Sequence, residues 1–317
     1  MRILITGGAG CLGTNLIDQY LPRGYQVLVI DNYATSAPEV LPAHDALTVI
    51  EGSVTDAALV DKAMDGFGPT HVIHAAASYK DPADWHGDAG VNVTGSLNVL
   101  RAAERTGVKR FVNLQTALCY GRPSMVPIPV DHPTAPFTSY GISKTAGEQF
   151  VLMSELPVVS LRLANIVSPR LSIGPIPTFY TRLKAGKGCF CSDTYRDFLD
   201  IADFVSLMDA VMADGAPTGV FNVSTGESKS IKDLFDQVVA HLGITLDEPV
   251  PVVPPGDDDV PAVVLDPSAT KTTLGWEAKI GFEDMMKTML AWYDEHGVRQ
   301  IYSHLAAPTT DSAAAKE

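Results

Sequence analysis

Thr6-Gly7-Gly8-Ala9-Gly10-Cys11-Leu12-Gly13 follows directly on the short apolar run 2–5, and a helical pattern over 14–21 follows it. A buried strand, a glycine-rich turn and a helix in that order open a dinucleotide-binding unit. Gly7 supplies the tight turn, Gly10 lets backbone come close to a pyrophosphate, and Gly13 lets the helix approach the strand. The helix start, just past Cys11 and Leu12, offers free N–H groups and the positive end of its dipole to the phosphates.

Working outward, the strand Tyr25–Ile30 ends at Asp31-Asn32, about twenty residues past the glycines. An acid there accepts from the adenosine ribose hydroxyls and repels a 2′-phosphate. No Lys or Arg lies between Arg23 and Lys62 to offset that repulsion, so the expected cofactor is NAD rather than NADP. Further strands are expected at 47–50, 71–74 and 110–114, alternating with helices at 57–65 and 89–105. This alternation predicts an α/β fold, a Rossmann-type doubly wound parallel sheet with helices on both faces.

In such sheets ligands gather at the carboxyl ends of the strands. Thr6–Gly13, Asp31, Ser53-Val54, Ala75-Ala76-Ala77 and Thr116 all fall at that edge. The small Ala75–Ala77 side chains let backbone approach a flat cofactor. His74 reads as a packed core histidine. Asn92, on a helix expected to pack against the sheet, is either a hydrogen-bonding strut or an exposed polar residue.

Tyr140-Gly141-Ile142-Ser143-Lys144 begins another helix, and a Tyr and a Lys four apart share a face. A free phenol titrates near ~10, and a neighbouring ammonium brings it toward the working range of a base.

The chain of 317 residues is 46% hydrophobic, enough for a large core, and its net charge of −14 argues against nucleic-acid binding. No apolar run approaches the ~20 residues of a membrane span. Residues 1–5 run into the glycine turn too soon for a secretory leader. Cys11, Cys119, Cys189 and Cys191 form no CxxC pair and no metal spacing with His, which suits free thiols in a cytoplasmic protein; no metal is expected. Between Arg162 and Arg196 the bases Arg162, Arg170, Arg182, Lys184, Lys187 and Arg196 face the lone acid Asp193. A basic patch on an acidic chain suits a small polyanion such as a nucleotide diphosphate.

The second half predicts a helix near 179–185, a helix at 200–213, a strand at 220–223, an amphipathic helix at 231–242, a Pro-rich loop at 249–261 and a last helix at 282–296. The expected division is a NAD-binding domain of 1–165 plus about 197–224, a substrate domain of about 166–196 plus 225–308, and a mobile tail, 309–317.

Taken together, GGAGCLG at 7–13, Asp31, HAAA at 74–77, NVTGSLN at 92–98, TALCYG at 116–121 and YGISK at 140–144 resemble the extended short-chain dehydrogenase/reductases, specifically their NAD-dependent nucleotide-sugar epimerase/dehydratase group. LRLANIVSPR at 161–170, RDFLDIADF at 196–204 and FNVSTGESKSI at 221–231 extend the resemblance over nearly the whole chain. It resembles in particular 4-epimerases such as UDP-galactose 4-epimerase, and epimerases of bacterial O-antigen loci. The resemblance implies that Tyr140 takes the proton of the sugar 4-hydroxyl. It implies that Lys144 holds the nicotinamide ribose and depresses the tyrosine pKa, and that Thr116, beside Ala117, bonds the sugar hydroxyl. It further implies that Asn165, Arg170 and Arg196 serve the substrate, that Asn92 supports the cofactor side, and that helices 89–105 and 141–154 pair in a homodimer.

The chain departs from the family at Ser53, where an Asp usually reads the adenine; at Ser168, where a Gly is usual; and near 254–259, where an Arg for the diphosphate is usual and Pro254-Pro-Gly-Asp-Asp-Asp259 has no base. Other activities of the group are a keto-sugar reductase, a dehydratase or decarboxylase, and a non-catalytic NAD sensor. Dehydratases carry an acid after the Thr, where this chain has Ala117 and Leu118.

Overall fold

The computed structural model describes residues 1–79, 81–256 and 259–299. The chain runs β1 (Arg2–Thr6), α1 (Cys11–Tyr20), β2 (Gln26–Asp31), β3 (Leu47–Glu51), α2 (Ala57–Phe67), β4 (His71–His74), α3 (Trp85–Ala89), a π-helical turn (Gly90–Gly95), α4 (Ser96–Thr106), β5 (Arg110–Thr116), α5 (Ser139–Leu152) and β6 (Val158–Leu163). It continues through β7 (Asn165–Val167), α6 (Pro175–Lys184), β8 (Cys191–Ser192), β9 (Tyr195–Arg196), β10 (Phe198–Asp200), α7 (Ile201–Met212), β11 (Gly219–Val223), β12 (Lys229–Ser230), α8 (Ile231–Leu242), β13 (Val252–Val253), β14 (Ala262–Val263), α9 (Ser268–Leu274) and α10 (Phe282–His296).

Seven strands form one sheet in the order β3-β2-β1-β4-β5-β6-β11, and every neighbouring pair is parallel. Successive side chains of a strand point to opposite faces, and here both faces are covered. Ile3, Ile5, Val27 and Val29 pack with Leu16, Ile17, Leu207 and Met208 of α1 and α7. Leu4, Leu28, Ile30 and Val72 pack with Val60, Met64, Val99 and Leu100 of α2 and α4. Doubly covered strands read as near-continuous apolar runs, which is why β1 and β2 are plain in the sequence. A separate core joins α6, α8 and α10 through Phe179, Tyr180, Leu234, Phe235, Met286 and Tyr293.

Several elements differ from expectation. The first helix begins at Cys11, directly at the glycine turn, rather than at 14. The helix expected at 89–105 begins at Trp85 and opens into a π turn before α4. β6, which the sequence reading leaves unassigned, sits inside the sheet between β5 and β11. Its run is interrupted by Ser160 and Arg162, both buried and both bonded to Glu148 of α5. The short strands β13 and β14 lie at the Pro-rich stretch, pairing with β8 and β9. The expected tail 309–317 and the end of the second domain fall outside the described residues.

Candidate active site

The glycine turn is a steric cradle. A Cβ on Gly7, whose φ is +67°, would stand 2.7 Å from the Ala76 backbone, and one on Gly13 would stand 2.6 Å from Gly8. Only hydrogen fits at either place, so β1, the Ala75–Ala77 segment and α1 meet backbone to backbone. α1 has no side-chain cap and no acid in its first turn, which leaves its terminal amides and dipole to a ligand anion. Asp31 Oδ2 accepts from Ala9 N at 2.9 Å and Oδ1 from Tyr33 N at 2.8 Å; burial still raises its pKa. Asn32 Oδ1 accepts from Ala34 N, turning the chain beside it. Ser53 Oγ bonds Thr55 Oγ1 at 2.8 Å and accepts from Thr55 N, while Val54 is buried. An uncapped helix start, a glycine cradle and a strand-end carboxylate together fit a dinucleotide.

Behind this edge a buried chain of hydrogen bonds links the glycine turn to α5. Thr6 Oγ1 meets His74 Nδ1 at 2.8 Å, and His74 Nε2 meets Ser96 Oγ at 2.9 Å. Burial, aided by Lys144, pushes the His74 pKa down to about 3, so it is the neutral core histidine expected. Ser96 Oγ donates to Asn92 O at 2.7 Å. The Asn92 side chain is the strut: Oδ1 accepts from Ser78 N, and Nδ2 donates to Ser78 O and to Ser143 Oγ. Both Nδ2 hydrogens are thereby engaged within the chain, so Asn92 supports the cofactor edge by holding Ser78 and α5. The π turn puts Asn92 there, and π turns recur at functional sites. Gly147 allows the approach, because a Cβ on it would stand 2.3 Å from Asn92 O.

Thr138 caps α5 by accepting from Gly141 N at 3.1 Å, which sets Tyr140 in the first turn. The Tyr140 phenol lies beside the Thr116 side chain at the carboxyl end of β5, which lowers its pKa against burial. Tyr79 meets the Tyr140 ring edge-on at 5.9 Å. Lys144 is buried, its Nζ donating to Leu114 O at 2.7 Å, and Gln115 Nε2 donates to Lys144 O. The expected depression of the Tyr140 pKa by Lys144 is not found in this geometry. Burial raises the pKa, Tyr79 and Asp88 raise it further, and the neighbouring Thr116 lowers it. Burial also brings Lys144 down to about 8, with Glu148 opposing.

Asp88, on α3, carries no signal in the sequence. It is 1% exposed, and its Oδ1 has no hydrogen-bond partner among the described residues. Tyr79, Ser78 and the Glu148–Arg162 pair also escape the sequence reading, although Ser143 lies inside the quoted YGISK.

The basic run does not gather into one patch. It crosses a central strand, a loop, a helix and a short strand, and Arg162, Arg170, Arg182, Lys184 and Arg196 each find a separate partner. Arg162 is in the core, with Nη2 donating to Glu148 Oε2 at 2.9 Å. Arg170, at φ +68°, pairs with Asp18 of α1 at 2.9 Å. Arg182 donates to Gly188 O, and Lys184 to the Tyr180 hydroxyl. The segment around Arg170 is docked on α1, with Cys11 Sγ 2.7 Å from Ser168 Oγ and Asn15 Nδ2 donating to Pro169 O. Arg170 is thus drawn to the nucleotide side of the molecule. Asn165 is exposed and donates to Asp197 O at 3.1 Å. Arg196 is bonded to Asp259, Val260 O and Tyr195 O. Ala117 is buried beside Thr116. The four cysteines are free thiols.

Comparison with known proteins agrees with this arrangement. Residues 3–224 match the NAD dependent epimerase/dehydratase family. The chain is 30% identical over 314 residues to UDP-glucose 4-epimerase of Mycolicibacterium smegmatis, covering 91% of this chain and 97% of that one. Its structure superposes on Bordetella bronchiseptica WbmG in complex with NAD and UDP with a TM-score of 0.93 and 66% identity, covering 97% of this chain and 99% of that one. For B. bronchiseptica WbmH in complex with NAD+, the TM-score is 0.88 and the identity 39%, covering 94% and 99%.

Proposed function

Since the chain belongs to the NAD dependent epimerase/dehydratase family, we propose that it is an NAD-dependent epimerase of a UDP-linked sugar. It inverts C4 through a transient 4-keto sugar, with Tyr140 as the base. The observation that carries this reading is the buried Tyr140 phenol set beside the Thr116 side chain at the carboxyl end of β5, one helical turn from a buried Lys144. The relative named UDP-glucose 4-epimerase and the structure holding NAD and UDP support the substrate class.

Gly7, Gly10, Gly13 and the amides of Cys11 and Leu12 would hold the NAD pyrophosphate. Asp31 and Asn32 would take the adenosine ribose, Ser53 and Val54 the adenine, Ala75–Ala77 the nicotinamide side, and Lys144 the nicotinamide ribose. NAD, when bound, would supply reversible hydride transfer at the sugar carbon, and its cationic ring would favour a phenolate nearby. Tyr140 receives the 4-hydroxyl proton, with Thr116 passing it between sugar and phenol, and gives it back after the ketone has turned over. Ala117 and Leu118 carry no ionisable group, so neither position supplies the acid that water elimination needs. On this reading 1–165 plus about 197–224 carry the cofactor, and about 166–196 with 225 onward carry the sugar nucleotide. Asn165 and Arg196 face the diphosphate, while Arg170 braces the loop on α1. We place two copies of the chain side by side through α4 and α5.

The test is to incubate the purified protein with a panel of UDP-, dTDP- and GDP-sugars without added cofactor, following product stereochemistry by NMR. A C4 epimer of a UDP-sugar is expected. Product formed only on adding NADH would replace the epimerase by a keto-sugar reductase.

A further inference from the structure

On the proposed reading Arg196 faces the diphosphate, yet its guanidinium is already committed. Nη2 is paired with Asp259 Oδ1, and Nη1 donates to Val260 O and Tyr195 O, each at 2.8 Å. Both partners of the ion pair are only 14% exposed, so solvent screens the pair less than it would a surface pair. A carboxylate oxygen and the neighbouring carbonyl, presented side by side to one guanidinium, offer the fork of acceptors that a phosphate offers. The backbone on either side of Arg196 is fixed. β9 pairs with β12 and β14, setting Lys229 directly opposite Arg196, and Tyr195 N donates to Pro261 O at 2.8 Å. Val260 is buried. The Asp259 side chain is therefore the part that gives way most easily: among the described residues its Oδ1 is held only by Arg196 and by Val260 N.

We propose that Asp259 is a built-in competitor, holding on Arg196 the place that one phosphate of a nucleoside diphosphate takes, so that substrate binding exchanges one anion for another. This rests on the reading of the substrate as a UDP-sugar and adds a residue that sets its affinity. A diphosphate, with more charge than a carboxylate, wins the exchange and leaves Asp259 to solvent. A ligand with a single weak anion does not. The cost of releasing Asp259 is thus subtracted from every productive binding event, which loosens the hold on product as well as on substrate.

The experiment is calorimetric titration of UDP into the NAD-loaded protein, with Asp259→Asn and Asp259→Ser measured alone and in an Arg196→Gln background. Both single variants should bind UDP roughly three- to tenfold more tightly, and the gain should vanish when Arg196 is absent, as a coupled pair requires. Unchanged or weaker binding in the single variants, or a gain that persists without Arg196, would overturn the competitor while leaving the UDP-sugar reading in place. Loss of the fold in both variants, seen as loss of NAD binding, would make Asp259 a structural strut and overturn it too. If no form binds UDP while all bind NAD, the UDP-sugar reading fails and the inference goes with it.

Discussion

Asn92 Nδ2 donates to Ser143 Oγ at 3.0 Å across 51 residues of sequence, and Ser143 Oγ in turn donates to Tyr140 O. One amide therefore connects the π turn, the Ser78 segment after β4 and the first turn of α5. Replacing Asn92 by Ala leaves the buried Ser143 hydroxyl and the half-buried Ser78 backbone groups without this partner, at a cost of about 1–3 kcal/mol. Tm should fall by a few degrees, and kcat should fall more than KM rises, because the phenol loses its brace. A variant with lowered Tm and unchanged kcat would reduce Asn92 to a purely structural part.

Tyr140→Phe keeps the ring against Tyr79 but removes the proton carrier. With one positioned acid–base group lost, kcat should drop about 100- to 10,000-fold, with UDP binding little changed. Asp88→Asn acts on the same group from a distance. The Asp88 charge raises the Tyr140 pKa, so its removal lowers that pKa and enlarges the phenolate fraction at any given pH. The limb of the kcat/KM profile that reports Tyr140 deprotonation should move to lower pH. If it does not shift, Asp88 is electrostatically silent toward the base.

Lys144 gives a stability signature with a definite sign. Folding lowers its pKa to about 8, whereas the unfolded side chain titrates near ~10.4. Between those values the unfolded chain binds more protons, so this group makes stability rise with pH across that window and is a penalty below it. Comparing the melting temperatures of wild type and Lys144→Met isolates the effect. The difference should move in favour of wild type from pH 7 to pH 10, and a flat difference would mean that burial does not depress Lys144. Activity runs the other way: it should decline above pH 8 as the ammonium is lost from the ribose site.

What was readable in the chain was what is local. The glycine turn, the apolar strands β1 and β2 and the Tyr140–Lys144 face are each set by residues within a few positions of one another. β6 was hidden because Ser160 and Arg162 break its apolar run, and their partner Glu148 lies on another element. The π turn was hidden because one widened turn barely alters a helical pattern. The basic run between Arg162 and Arg196 reads as one patch because a list of charges carries no direction; Asp18 and Asp259 lie far along the chain from Arg170 and Arg196, and Glu148 sits on a different element from Arg162. The orphan oxygen of Asp88 is a property of packing alone.

Asp31 tests the cofactor preference. Its carboxylate is fixed by Ala9 N and Tyr33 N, so it stands rigidly at the end of β2, where a 2′-phosphate would meet its charge. Asp31→Ser should weaken NAD binding and narrow the preference over NADP by roughly tenfold or more, the equivalent of about 1.4 kcal/mol. Titrations of both dinucleotides measure it. A preference that survives the substitution would assign discrimination to some other residue.

The end of α5 and the Met153 that follows it leave apolar side chains in solvent where most helices show polar ones. Met153 is 79% exposed, and Phe150 and Leu152 are each 40% exposed. Together with Leu97 and Leu100 of α4, Phe150 and Met153 line a shallow groove whose rim carries the Arg101–Glu104 pair. An apolar groove edged by charge is the composition of a protein–protein contact. Two antiparallel copies of α4 and α5 would bury it symmetrically, the isologous arrangement of most dimers. Phe150→Asp combined with Met153→Glu places two carboxylates at the centre of that contact, where an unpaired charge is costly. Light scattering should show a dimer for wild type and a monomer for the double variant, with Tyr140 and its surroundings intact. A wild-type chain that is monomeric at tens of micromolar, or a double variant that stays dimeric, would remove α4 and α5 from the interface.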